Sequence, residues 1–202
     1  VYTYVVHNLM KIDKKQKDGL DLAFNESKIN YVGIESDMVE ILLNCISMNS
    51  NNEFPDDNRF RILFEKYGRI AVSYRKGSWD DESAEIEKIK PNELKSKFHG
   101  LILDSMYGWE FLNLDEKQFI DWSDKISLDV IQKSNWSSMN TIDLFAEQIG
   151  KDEVTIDIRI WFTDFKVFDF KNKELTKTEF AKNGQRGWNQ MYKTGISTTD
   201  NK

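Results

Sequence analysis

The chain is predicted to be an α+β protein, mainly antiparallel sheet with two to three helices packed on one face. Three observations predict it. Val154 to Phe162 alternates apolar and polar residues for nine positions, and two β-branched or aromatic runs flank Lys66-Tyr67-Gly68. Other stretches repeat their apolar residues at three-and-four spacing, the period of a helix with one buried face. Strands and helices do not alternate with the regularity of a doubly wound fold.

Taken in order, Val1 to Val6 has the β-branched and aromatic character of a strand. Lys11 to Gly19 is polar enough for an exposed loop or a frayed helix, and residues 20–33 carry no decisive period. From Glu35 to Met48 the residues Met38, Ile41, Leu42, Cys45 and Ile46 predict a helix, capped by Ser36 or Asp37 and closed by the polar run before Pro55. Arg59 to Glu65 and Arg69 to Arg75 read as the two arms of a β-hairpin, with Gly68 supplying the turn. Phe60, Ile62 and Phe64 in the first run and Ile70, Val72 and Tyr74 in the second then make one core face, with arginines and a serine pointing outward.

Beyond the corner Lys76-Gly77-Ser78, Pro91 to Phe98 reads as a short helix, since proline is tolerated in a first turn. Leu101 to Leu103 and Trp109 to Leu112 are expected strands joined through Tyr107-Gly108. Asp115 to Lys125 fits either a helix or an extension of the strand expected at Ile126 to Ile131. Asn140 or Thr141 is expected to cap a helix with Ile142, Phe145 and Ile149 on one face, ended by Gly150. After the strand Val154 to Phe162 come a further strand in Phe165 to Phe170 and a turn at Asn172-Lys173. Trp188 to Lys193 is expected to be a short helix or loop between Gly187 and Gly195, and the tail from about residue 197 should fray.

Composition bounds the class. At 202 residues and 23.8 kDa, with 40% hydrophobic and 13% aromatic residues, the chain has the large apolar side chains that disordered chains lack. Two prolines and ten glycines make no linker, so residues 1–202 are read as a single domain. The lone Cys45 excludes an intrachain disulfide. No run approaches the 18 or so apolar residues that span a bilayer. A net charge of −6 and a pI of about 5.1 disfavour a general nucleic-acid binder. The cytoplasm is the expected location, with export left open because the chain begins at Val1 and its native N-terminus is expected upstream.

No motif is strong enough to name a reaction. His7 and His99 with one cysteine fall short of a four-ligand Cys/His zinc site, and the Gly-rich phosphate-binding signatures are absent. Cys45 has no histidine near it in sequence. The densest acidic run, Asp80-Asp81-Glu82 with Glu85 and Glu87, lacks the alternation and central glycine of a calcium loop. Glu85-Ile86-Glu87-Lys88 together with Asp157-Ile158-Arg159 has the crude form of a metal-dependent nuclease, as chance supplies in a chain that is 31% charged.

Six tryptophans are more informative. Trp79 adjoins the acidic run, and Trp161 shares with Asp157 and Arg159 the strand face opposite Val154, Ile156 and Ile158. That face is either exposed or covered by a helix, and covering is favoured. The expected function is a non-enzymatic protein-binding module, an inhibitor or immunity protein neutralising a basic partner such as a nuclease toxin. Trp79, Asp80, Asp81, Glu82, Asp157 and Trp161 are its expected contacts, with no catalytic residue, metal or cofactor, and with neither nucleic acid nor membrane as direct partner. The alternatives are a metal-dependent hydrolase or nuclease with a carboxylate-built site, and a structural, phage- or secretion-associated protein.

Overall fold

A computed structural model describes residues 11–101, 103, 110–111, 116–148 and 152–196. Helix α1 (Lys14–Phe24) leads into β1 (Lys28–Glu35), β2 (Met38–Asn44), β3 (Arg59–Glu65), β4 (Arg69–Lys76) and the two-residue β5 (Glu85–Ile86). A 3-10 turn at Pro91–Glu93 runs into α2 (Leu94–Phe98), followed by β6 (Glu110–Phe111) and α3 (Glu116–Ile120). Next come β7 (Leu128–Ile131), a 3-10 turn at Trp136–Ser138, and the long strands β8 (Asn140–Gln148) and β9 (Val154–Phe162). The described chain closes with β10 (Lys166–Phe168), β11 (Glu174–Leu175) and α4 (Lys177–Thr194).

The α+β class holds, and the strands divide between two antiparallel sheets. One has the order β1-β2-β3-β10-β11, the other β5-β4-β9-β8-β6, with β7 also paired to β4. Val39, Ile41 and Leu43 of β2 and Phe60, Ile62 and Phe64 of β3 join one core with Ile70, Val72 and Tyr74 of β4. Ile142, Leu144 and Ala146 of β8 and Ile156, Ile158 and Ile160 of β9 complete it. Each large side chain buried there contributes about 1.5–3 kcal/mol.

Three expected elements differ from those observed. The predicted hairpin is two strands of different sheets: β3 pairs with β2 and β10, whereas β4 pairs with β9, β7 and β5. Lys66, not Gly68, takes the left-handed backbone, at φ 52°. Gly68 is small for another reason, because a Cβ there would lie 2.3 Å from the Met139 sulfur. The predicted helix over 35–48 is instead β2, in register with β1 and β3. Its stretch carries both periods, and the alternating set Val39, Ile41, Leu43 wins because strands on both flanks satisfy its backbone. Asn140 to Gln148 is likewise strand β8, since Ile142, Leu144 and Ala146 alternate inward while β9 pairs along its whole length.

Among the helical readings, Pro91 to Phe98 is helical as predicted, and the described part of the expected Asp115 to Lys125 stretch, from Glu116 on, is α3 followed by turns. The frayed stretch at Lys11 to Gly19 is the start of α1, whose Asp13 forms a reciprocal capping box with Gln16. Trp188 to Lys193 lies within the 18-residue α4, capped by Thr176 and Glu179 and ended by Gly195 at φ 71°. Gly19 abuts Ala181 and Gly184 abuts Ala23, so α1 and α4 run side by side in the same direction. Phe180 fixes the pair to the core, its ring 5.4 Å from Phe24 and 5.2 Å from Phe60. The expected strand at Val1 to Val6, the turn at Tyr107-Gly108, Ile149-Gly150 and the tail from 197 lie outside the described residues.

Cys45 is fully buried, its sulfur accepting a hydrogen bond from the Ser27 hydroxyl at 3.3 Å. Burial pushes the thiol up to about 12. A thiol held protonated and away from solvent does not attack disulfides. The folded protein at pH 8 is therefore expected to leave Ellman's reagent uncleaved for as long as it stays folded, and to release one equivalent of chromophore in urea. Rapid reaction without denaturant would contradict this burial.

Candidate functional site

The outward face of the second sheet is built by strand alternation. β4 presents Arg69, Ala71, Ser73 and Arg75; β9 presents Asp157, Arg159 and Trp161; β8 presents Thr141, Asp143 and Phe145. Register sets them in rows: Arg69, Trp161 and Thr141; Ala71, Arg159 and Asp143; Ser73, Asp157 and Phe145. Arg159 holds Asp143 with two bonds of 2.6 and 2.5 Å, and Arg69 holds Asp129 of β7 with two of 2.8 and 2.9 Å. Paired bonds of this kind fix a planar guanidinium in orientation as well as position.

Aromatic rings cover two of these rows. Phe119 of α3 and Trp136 of the second 3-10 turn meet Trp161 edge-on at 4.9 and 5.1 Å. The Arg69 guanidinium lies 4.4 Å from the Trp136 ring and 4.8 Å from Phe119, and Arg159 lies 5.2 Å from Phe119 and 5.7 Å from Trp122. Trp161 is 0% exposed, and its indole N–H donates to Glu116 at 3.3 Å. It is therefore part of a secondary core beneath α3 and cannot touch a partner directly.

The third row is open. Arg75 reaches Asp157 at 3.0 Å with one nitrogen and donates to the Trp79 carbonyl at 3.3 Å with another. Trp79 and Asp157 thereby line one pocket of about 280 Å³ with Ser73, Arg75, Asp121, Trp122, Lys125 and Phe145. Burial pushes the Asp157 carboxyl up, opposed by the Arg75 guanidinium and reinforced by the neighbouring Asp143 charge.

Trp79, Asp80, Asp81 and Glu82 form an exposed turn beside that pocket, and its backbone is tied down. Gly77 takes φ 146°, a conformation closed to other residues, and it donates to Glu153 and accepts from the Thr155 hydroxyl, both at 2.9 Å. Ser78 donates to Asp80 at 2.6 Å, and Ser83 donates to Asp81 from its amide at 2.8 Å and its hydroxyl at 2.6 Å. The hydroxyl and amide bonds from Ser83 hold the Asp81 carboxyl below its usual range. On this fixed turn Trp79 is 64% exposed.

Four of the six expected contact residues thus stand together on the surface, Asp157 lies in the pocket beneath them, and Trp161 lies apart in the interior. The cover over Trp161 was expected, and α3 supplies it; the burial of Arg69 and Arg159 beneath that cover was missed. A usable signal was present: Ala71 and Ser73, small residues on the same face as Trp161, leave room that a covering element must fill. The two halves of the nuclease-like pattern do not converge, since Glu87 is engaged by Lys97 and Lys76 near Tyr74, on the core side of β4, whereas Asp157 faces the other way. No group of three or more His, Cys, Asp or Glu residues able to hold a metal occurs among the described residues, where His99 is exposed. No helix among them is long and apolar enough to cross a membrane. The chain matches no protein-family model, no curated protein and no solved structure.

Proposed function

We propose that this protein is a non-enzymatic binding module of the inhibitor or immunity type, which engages a basic partner protein such as a nuclease toxin through Trp79 and its acidic turn. The observation that carries the reading is Trp79 itself, a large aromatic 64% exposed on a loop with a fixed backbone. A tryptophan presented in this way is the residue type that dominates interfaces, and a pre-ordered loop loses little entropy on docking. Asp80 and Glu82, which follow it in the same turn, supply the charge that steers a basic partner into contact.

The test is capture of a partner from lysate of the source cell, with the partner identified and its pI measured. Trp79→Ala is expected to shift stability by no more than about 0.5 kcal/mol, as for a surface site without special geometry, while weakening capture by about 30-fold, the equivalent of about 2 kcal/mol. The variant Asp80→Lys with Glu82→Lys leaves Asp81 and its bonds from Ser83 in place, and is expected to slow association at low salt by about tenfold or more. An acidic partner, or one retained equally by all three proteins, overturns the reading.

A further inference from the structure

We infer that the pocket beside Trp79 is a binding site for a neutral carbohydrate ring. Its floor holds buried polar groups that lack hydrogen-bond partners: the hydroxyl of Ser73, 1% exposed, and Nε of Arg75, 8% exposed. Among the described residues Asp157 accepts only the bond from Arg75. A native fold satisfies nearly all its buried polar groups. Here two unsatisfied donors and an under-used acceptor belong to side chains that line one pocket, complementary to groups that both donate and accept, as sugar hydroxyls do.

The charges select against an ionic ligand. Arg75 and Lys125 line the pocket against Asp121 and Asp157, so it carries no net formal charge. An incoming cation meets Arg75 and Lys125, and an incoming phosphate meets the acidic turn at Asp80 to Glu82. The walls are aromatic, from Trp79, Trp122 and Phe145. A pyranose presents a face of C–H groups that stacks on an indole while its equatorial hydroxyls point sideways to polar partners. At about 280 Å³ the pocket lies near the lower end of the roughly 300–1,000 Å³ spanned by ligand sites, which suits a single ring. The inference is independent of the protein-contact reading, although both use Trp79.

The test is titration of the ¹⁵N-labelled protein with the methyl glycosides of glucose, galactose, mannose and N-acetylglucosamine, read at the indole N–H signals of Trp79 and Trp122. At least one glycoside is expected to shift both signals saturably. Asp157→Asn is expected to weaken that binding about tenfold or more, because a charged hydrogen-bond acceptor is lost. Ser73→Ala, a smaller change, is expected to weaken it in the same direction and keeps the test readable if Asp157→Asn unfolds. The Glu82→Lys protein, which keeps the bond from Ser78 to Asp80, is expected to bind the sugar undiminished, which separates this site from the protein-contact surface. Absence of any shift with all four glycosides, shifts unchanged in Asp157→Asn and Ser73→Ala, or shifts produced by adenosine or guanosine in place of the sugars would each overturn the assignment.

Discussion

Arg159→Ala is expected to destabilise the fold by about 3–5 kcal/mol, the cost of breaking a buried ion pair from one side. Arg159 is wholly enclosed, and its removal takes two short bonds from Asp143 and the cation from beneath the Phe119 and Trp122 rings. It also leaves a void under α3 where the guanidinium lay. Urea unfolding at pH 7 measures the loss. The double variant Arg159→Met with Asp143→Leu removes both charges and keeps most of the volume, so it is expected to recover most of that loss. A loss below about 1 kcal/mol for Arg159→Ala would mean that the outer face of the second sheet is not a packed core.

Gly184→Ala tests the helix pair, and two effects predict opposite signs. Helix propensity alone favours alanine over glycine by about 1 kcal/mol in a helix interior. Geometry opposes it, because a Cβ on Gly184 would fall 2.5 Å from the Cα of Ala23 and 2.7 Å from its Cβ, and backbone cannot swing aside as a flexible side chain does. Overpacking of this kind costs about 1–3 kcal/mol. The variant is expected to melt several degrees lower, since about 1 kcal/mol corresponds to roughly 2–4 °C in a chain of this size. Ala23→Gly in the same chain should restore part of the loss. A rise in melting temperature would show that α1 and α4 do not approach as closely as described.

These two sites mark where the sequence was readable and where it was not. Val154 to Phe162 announced itself because β9 is central in its sheet and its inner positions are uniformly β-branched or aromatic. Met38 to Asn44 and Asn140 to Gln148 did not, because each carries a helical period and an alternating one. Only the strands paired on their flanks choose between them, and the period within one stretch carries no record of that pairing even where the partner is the next strand along. The supposed hairpin failed for a related reason. A glycine between two strand-like runs is consistent with a tight turn, but Gly68 donates to the Trp161 carbonyl at 2.7 Å and yields space to Met139, so the chain passes from one sheet to the other.

At the candidate site, Trp79 and its acidic neighbours were visible because they are contiguous. Asp157 was visible only as a residue on a strand, and the bond from Arg75 that links it to Trp79 spans 82 positions. Trp161 was correctly placed on the face with Asp157 and Arg159, yet its role changed once α3 and the turn at Trp136 covered it. Arginines alternating with apolar residues look like solvent-facing positions, and here bidentate carboxylates and stacked rings allow Arg69 and Arg159 to be buried.

The central claim is that Trp79 on its fixed acidic turn is the point of contact with a basic protein. Its most direct test is the dissociation constant of the captured partner for the native chain and for Trp79→Ala, each at 50 mM and 300 mM salt. The account predicts binding about 30-fold weaker for the variant at either salt, and native binding that weakens as salt rises. Equal affinity of the two proteins, or affinity indifferent to salt, would contradict it.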